Sequence, residues 1–232
     1  MKVTKVLGIS CVAGAMLLSS CSSMTNLGKG ALIGGTGGGA VGAGVGALIG
    51  GGKGAAIGAA IGAAVGSGAG MIIGKKMDNQ AKQLAAIENA TVETTTDTNG
   101  LQAIKVTFSG GILFPTNGST LTAAARTDLK EFATSLQQNP ETDVQVYGFT
   151  DNVGTLTANE KVSTARADAV KTYLQNCGVS SSRIDAQGLA MTDYVASNDT
   201  EEGRAQNRRV EIYISANETM IQQAEAEAAA QN

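Results

Sequence analysis

Asp143-Val144-Gln145-Val146-Tyr147-Gly148-Phe149-Thr150-Asp151-Asn152 is the stretch on which the fold turns. Val144, Val146 and Gly148 alternate with Gln145, Tyr147 and Phe149, the period of two that marks a strand with unlike faces. Beyond it the chain predicts a helix that opens with the capping box Thr157-Ala158-Asn159-Glu160, runs to about Asn176 and closes at Gly178. The carboxylate of Asp151 thus falls in a strand-to-helix loop, where rigid elements commonly hold residues for ligands.

Working outward, Leu121, Ala125, Leu129, Phe132 and Leu136 recur at three- and four-residue steps between Ser119 and Gln138, an amphipathic helix stopped by Asn139-Pro140. Thr91 to Thr96 and Leu101 to Phe108 flank Asp97-Thr98-Asn99-Gly100 and read as a hairpin, followed by a short strand at Ile112 to Phe114. Downstream come a strand near Ile184 to Leu189, a short helix near Thr200 to Gln206 and a strand at Val210 to Ile214. The order β-α-β-α-β-α-β makes residues 91–215 an α+β domain with helices packed on one sheet. Residues 75–90 read as a helical connector, and 216–232, rich in Ala, Glu and Gln, as a polar helical tail.

Charge is misplaced in this domain. Arg166 shares an apolar helical stripe with Val162, Ala169, Val170 and Tyr173, and a half-buried guanidinium requires an anion. Asn159 lies two turns earlier on the same face, so Asp151, Asn159 and Arg166 can converge. At the last strand, alternation puts Arg208 on the side of Val210, Ile212 and Ile214 and Arg209 on the opposite side. Pattern alone leaves two readings open: an ion-pair network that joins helix to sheet, or a binding site.

Composition excludes several chemistries. There is no histidine, which removes Ser-His-Asp and Cys-His catalysis and His-ligated zinc. The net charge of -3 disfavours nucleic acid as a partner. A hydrolase using Asp151 with Glu160 is the remaining enzyme reading, but no acid pair of glycosidase type is evident, so no catalytic residue, metal or cofactor is expected. Cys177, before Gly178, reads as a small buried hydrophobe.

The N-terminus reads as an address. Lys2 and Lys5 precede an apolar run from Val6 to Leu18, long enough for a signal-peptide core and too short for a membrane span. It ends Leu18-Ser19-Ser20-Cys21, which resembles the lipobox of bacterial lipoproteins. That resemblance implies a signal peptide over 1–20, acylation of Cys21 and a short linker over 21–27. Ser22, where proteins retained at the inner membrane often carry Asp, implies the outer membrane.

From Gly28 to Gly74, twelve glycines fall on one four-residue ladder, from Gly30 through Gly50 and Gly54 to Gly74, and Gly28-Lys29-Gly30-Ala31 returns as Gly52-Lys53-Gly54-Ala55. Such spacing keeps glycines near one side of a helix and permits close backbone packing. Residues 30–50 and 54–74 would each form a helix roughly 30 Å long, the thickness of a hydrocarbon core. The pattern resembles glycine-zipper segments of outer-membrane lipoproteins and predicts a helical hairpin that is membrane-embedded or forms homo-oligomers. A flexible spacer is the other reading, although the segment lacks the polar residues typical of one.

The domain also carries a resemblance. Phe114-Pro115-Thr116-Asn117, Gly148-Phe149-Thr150-Asp151-Asn152-Val153-Gly154, Asn159, Ser163-Thr164-Ala165-Arg166-Ala167, Gly178-Val179, Arg183, Gly203-Arg204 and Asn207-Arg208-Arg209-Val210-Glu211 together resemble the OmpA C-terminal domain family of peptidoglycan binders. The resemblance spans roughly 112 to 215. It implies helices on a mixed sheet and peptidoglycan as partner, with Asp151 and Arg166 holding the free end of a diaminopimelate side chain. By the same resemblance Asn159 adds an amide contact, Asn117 and Arg208 line the groove, and Val153 offers its backbone. That ligand end is zwitterionic, so an acceptor-only carboxylate suits its ammonium and a forked guanidinium its carboxylate. The chain departs from the family at Phe149, where a histidine is usual, so any pH sensitivity tied to that histidine should be missing. The expected function is to tether the outer membrane to the cell wall, with the domain in the periplasm. The alternative makes the glycine hairpin the functional part, an oligomeric membrane or assembly element, and the domain only its tether. A flagellar stator-like role is disfavoured by the lipobox.

Overall fold

A computed structural model describes residues 68–115 and 118–231. Cys21, most of the glycine ladder and Asn117 lie outside the described residues. The described chain runs α1 (Gly68–Leu84), β1 (Ala90–Thr96), β2 (Gln102–Ser109), α2 (Gly110–Leu113), α3 (Ala123–Gln138), β3 (Thr142–Phe149), α4 (Leu156–Asn176), β4 (Ile184–Ala190), α5 (Glu201–Asn207), β5 (Arg209–Ala216) and α6 (Glu218–Ala230). The five strands form one mixed sheet in the order β1-β2-β5-β3-β4, antiparallel except for the parallel pair β3 and β4. The helices bury one core against a single face, with Val144 and Val146 of β3 and Val210, Ile212 and Ile214 of β5 pointing into it. Tyr147, Phe149 and Tyr213, the alternate positions, form a second cluster on the other face.

Several boundaries differ from the sequence expectation for physical reasons. Ile112 to Phe114 is no strand: Gly110 to Leu113 makes one helical turn, closed by the Phe114 N–H on the Gly110 carbonyl at 2.9 Å. The helix expected from Ser119 starts at Ala123, because Thr122 supplies the cap to the Ala125 N–H at 3.1 Å. In α4 the cap is Thr155, whose hydroxyl accepts from the Ala158 N–H, and not Thr157, so Glu160 is not tied up in a capping box.

The larger differences are at the ends. α1 is one helix across the position where the glycine ladder was expected to give way to a connector. Its Ala69, Ile73, Met77 and Leu84 are buried in the domain core, so it is part of the domain and not a linker to it. The C-terminal segment is helical but not wholly polar in effect. Met220, Ile221, Ala224 and Ala228 make a buried stripe on α6, and a Cβ added at Gly68 would meet the Ala228 Cβ at 3.3 Å. Among the described residues no helix is long and apolar enough to cross a membrane.

Two glycines bring α4 close to the sheet. Gly148 of β3 and Gly188 of β4 are register partners. A Cβ on Gly148 would collide with the Ser163 carbonyl, and one on Gly188 with the Thr164 backbone and both hydroxyls. With no side chain between helix and sheet, Ser163 is fully buried and its hydroxyl accepts from the Ala190 N–H at 3.2 Å. Arg166, one turn further along α4, is thereby fixed relative to the loop that leaves β3.

Candidate functional site

The loop after β3, the start of α4, α2, and the junction of α5 with β5 enclose a groove of about 590 Å³. Asp151, Val153, Asn159, Arg166 and Arg208 all line it. The domain therefore brings together the described residues that the sequence singled out.

Asp151 is 7% exposed and folds back on its own loop, with Oδ1 accepting from the Val153 N–H at 3.0 Å. Its Oδ2 pairs with Arg208 Nη1 at 2.6 Å. Arg166 is not the ion-pair partner of Asp151, and among the described residues no carboxylate lies within ion-pair distance of it. Instead its Nε donates to the Gly118 carbonyl at 3.0 Å, and its guanidinium stands 5.3 Å from the centre of the Phe114 ring. The donors at the fork of Arg166 make no hydrogen bond within the described residues, although the side chain is 6% exposed. Burial holds the Arg166 pKa below its ordinary value, the charge of Arg208 adds to this, and Asp151 opposes it. A partly desolvated cation with free, forked donors is a receptor for a carboxylate.

Asn159 has a structural share in the site. Its amide nitrogen donates to the carbonyls of Val153 at 2.9 Å and Thr155 at 3.1 Å, clamping the loop that carries Asp151. The Val153 backbone serves its neighbours: its N–H donates to Asp151 and its carbonyl accepts from Asn159. Its side chain stands 62% exposed at the mouth of the groove. The Thr150 hydroxyl, on the floor, is buried without a hydrogen-bond partner.

Three contributors were not foreseen. Glu201 accepts from Arg208 Nη2 at 2.7 Å, so Arg208 bridges two carboxylates. Arg204 donates to Glu201 at 2.8 Å and to the Asn198 carbonyl, extending the network along the rim. Hydrogen bonds from Arg208 and Arg204 hold the Glu201 carboxyl below the ordinary carboxylate range, and the bond to Asp151 pushes the Arg208 guanidinium up. Phe114, present in the quoted motif, supplies the ring beneath Arg166. The spacing of Glu201, Arg204 and Arg208 at i, i+3 and i+7 was the available signal for the rim network.

Arg183 and Asn207 turn out to be scaffolding. Arg183 donates to the carbonyls of Leu136, Asn139 and Thr142, closing the end of α3. Asn207, fully buried, takes the N–H groups of Val195 and Ala196 on its carbonyl oxygen and so shapes the loop before α5. Phe149 is fully buried beneath the Arg209 guanidinium, 3.9 Å from its ring centre, in the cluster on the other face of the sheet. Among the described residues no three acidic or thiol side chains converge as metal ligands would.

Residues 113–208 match the family model of the OmpA family, and residues 1–78 match that of the YMGG-like glycine zipper. The probable lipoprotein YiaD of Escherichia coli K12 is 41% identical over 112 residues, 48% of this chain and 51% of its own length. The peptidoglycan-binding protein ArfA of Mycobacterium tuberculosis is 39% identical over 113 residues, 49% of this chain and 35% of its own. The chain thus spans about half the length of the first relative and about a third of the second. Among solved structures, the cell wall anchor of the T6SS from Pseudomonas aeruginosa superposes with a TM-score of 0.51 at 30% identity, covering 61% of this chain and 97% of that one.

Proposed function

We propose, with residues 113–208 as an OmpA family domain, that the chain binds peptidoglycan non-covalently and tethers the outer membrane to the cell wall. The domain holds the free, zwitterionic end of a diaminopimelate side chain of the stem peptide. The carboxylate of that end lies on the fork of Arg166 and its ammonium on Asp151. Cys21, acylated, anchors the protein in the outer membrane, and the domain extends into the periplasm. The names of ArfA and of the T6SS cell wall anchor support the ligand class, and YiaD supports the lipoprotein reading. The single observation that carries the proposal is the Arg166 fork, which the fold buries and, among the described residues, supplies with no anion.

In this role the domain is a binder and not an enzyme. Asp151 takes the ammonium because an ionised carboxylate offers only acceptors, and Asn159 keeps it in place by fixing the loop at Val153 and Thr155. Asn117, outside the described residues, is proposed to line the same groove.

The test is co-sedimentation of the full chain, in detergent, with diaminopimelate-type sacculi. Asp151→Ala and Arg166→Ala should each weaken binding by at least about tenfold, as removal of one partner from a desolvated charged contact does. Thermal melts should remain cooperative. Unchanged binding would return both residues to a structural role, and released muropeptides would make the domain an enzyme. Deleting residues 28–67, and stopping short of α1, separates the alternative in which the glycine hairpin is the functional part: the remainder should still sediment with sacculi.

A further inference from the structure

The cation of Arg208 stands where the cation of the ligand has to go. Arg208 Nη1 is 2.6 Å from Asp151 Oδ2, so an ammonium arriving at Asp151 meets a guanidinium already in place. Like charges at such a distance repel, and a groove that held only Asp151, Arg166 and Arg208 would favour a plain anion over a zwitterion. Glu201 changes that balance. Its Oε1 accepts from Arg208 Nη2 at 2.7 Å while its Oε2 accepts from Arg204 Nη2 at 2.8 Å.

We infer that Glu201 is a specificity-determining residue of the groove: by balancing Arg208 it leaves Asp151 able to accept an ammonium, and so selects ligands with a free amine over ligands whose amine is blocked. The inference rests on the zwitterion reading of the groove given above. When the ammonium binds, Arg208 keeps a full counter-charge in Glu201 and can release its hold on Asp151 without becoming an unpaired cation. Without Glu201, Asp151 is the only carboxylate left to Arg208 among the described residues, and the ligand amine must compete for it.

The local structure suits this role. α5 opens with Thr200, whose hydroxyl accepts from the Gly203 N–H at 3.1 Å. A Cβ on Gly203 would collide with the Ser197 carbonyl, so the helix is seated directly on the loop before it. One side of α5 and its continuation therefore present Glu201, Arg204 and Arg208 in register along the rim. Glu201 itself carries no packing duty: its side chain is 63% exposed. Its removal alters the charge at the groove and frees Arg204, which keeps its bond to the Asn198 carbonyl.

The experiment is calorimetric titration of the full chain in detergent with two probes: a stem peptide bearing free diaminopimelate, and the same peptide acetylated at that amine. Wild type should prefer the free amine. Glu201→Gln should lower affinity for the free-amine peptide by roughly three- to tenfold, the range open to a solvent-screened charge, and leave the acetylated peptide bound as well or better. In an Arg208→Gln background the same substitution should have a much smaller effect on the free-amine peptide, since the cation in contact with Asp151 is gone and only Arg204 remains for Glu201 to balance. Equal loss for both peptides, a loss undiminished without Arg208, or no loss at all would overturn the inference. Wild type that fails to bind the free-amine peptide would instead overturn the zwitterion reading itself, and the inference with it.

Discussion

Two charged clusters meet at the start of β5, one on each side of the sheet, and they use the same residue types to opposite ends. On the face away from the helices, Arg209 Nε lies 2.6 Å from Glu211 Oε1 with both side chains 3% exposed. Every part of that cluster is engaged: Arg209 also donates to the Asp193 and Asn207 carbonyls and covers the Phe149 ring, and Glu211 Oε2 takes the Tyr213 hydroxyl at 2.7 Å. On the groove side, Arg208 shares two carboxylates near the surface, and the fork of Arg166 is unclaimed by any described residue. Burial with full pairing makes a structural staple, because nothing is left over for a ligand. Burial with donors left over makes a receptor. Arg208, the C-cap of the short helix α5, and Arg209, the first residue of β5, are adjacent in the chain, and the passage from helix end to strand sends them to these different duties.

If that contrast is right, breaking the closed cluster should unfold the domain rather than impair its grip. Glu211→Ala leaves the Arg209 guanidinium buried without a counter-charge and strips Tyr213 of its acceptor, and should cost about 3–5 kcal/mol in denaturant unfolding. The fraction still folded should bind sacculi normally. A variant as stable as wild type would mean that the buried pair is not a staple. Gly148→Ala tests the joint between the two regions. The new methyl meets the Ser163 carbonyl, which belongs to a helix backbone and cannot yield locally, so α4 must shift. Stability should fall by about 1–3 kcal/mol, and binding should fall beyond what the unfolded fraction explains, because Arg166 rides on α4. Loss of stability with undiminished binding per folded molecule would show that the close approach of α4 does not set the groove.

Much of this was legible in the sequence, for identifiable reasons. β3 and β5 announce themselves by alternation and α3 and α4 by apolar spacing, and alternation extended one residue back from β5 puts Arg208 and Arg209 on opposite sides, although Arg208 itself caps α5. The groove residues Asp151 and Arg166 were found because a cation on an apolar stripe contradicts its surroundings. The acceptor that Arg166 uses within the domain, the Gly118 carbonyl, was not legible, because a backbone oxygen leaves no mark in the side-chain pattern. Glu201 escaped notice as an exposed acid on a seven-residue helix with no apolar period to give it a direction. At the ends, composition masked function. The glycines of α1 read as rungs of the ladder, and Glu and Gln around Met220, Ile221, Ala224 and Ala228 hid a stripe that packs on α1.

The smallest of the expected effects concerns the closed cluster and appears on the alkaline side. Burial, reinforced by the Asp185 charge, pushes the Tyr147 phenol up to about 12 from its ordinary 10.0. Tyr213 is pushed up as well, chiefly by burial and then by the Glu211 carboxylate that it faces. A phenol whose pKa is higher in the folded state than in the unfolded one keeps its proton in the fold while the unfolded chain ionises. That contribution is fully present below about pH 10 and is lost as pH climbs toward about 12. Unfolding free energy measured in denaturant should therefore decline on the alkaline side, and phenolate absorbance should appear later in the folded protein than in the unfolded. Tyr213→Phe should flatten that decline, at the cost of one hydrogen bond to Glu211 at neutral pH. Tyr194→Phe should change it less: partial burial and the Asp151 charge push that phenol up, but the ring is 39% exposed and solvent screens both. Equal effects from the two substitutions would mean that the face bearing Tyr213 is as open to water as the loop bearing Tyr194, and the closed cluster would lose its claim to be a buried staple.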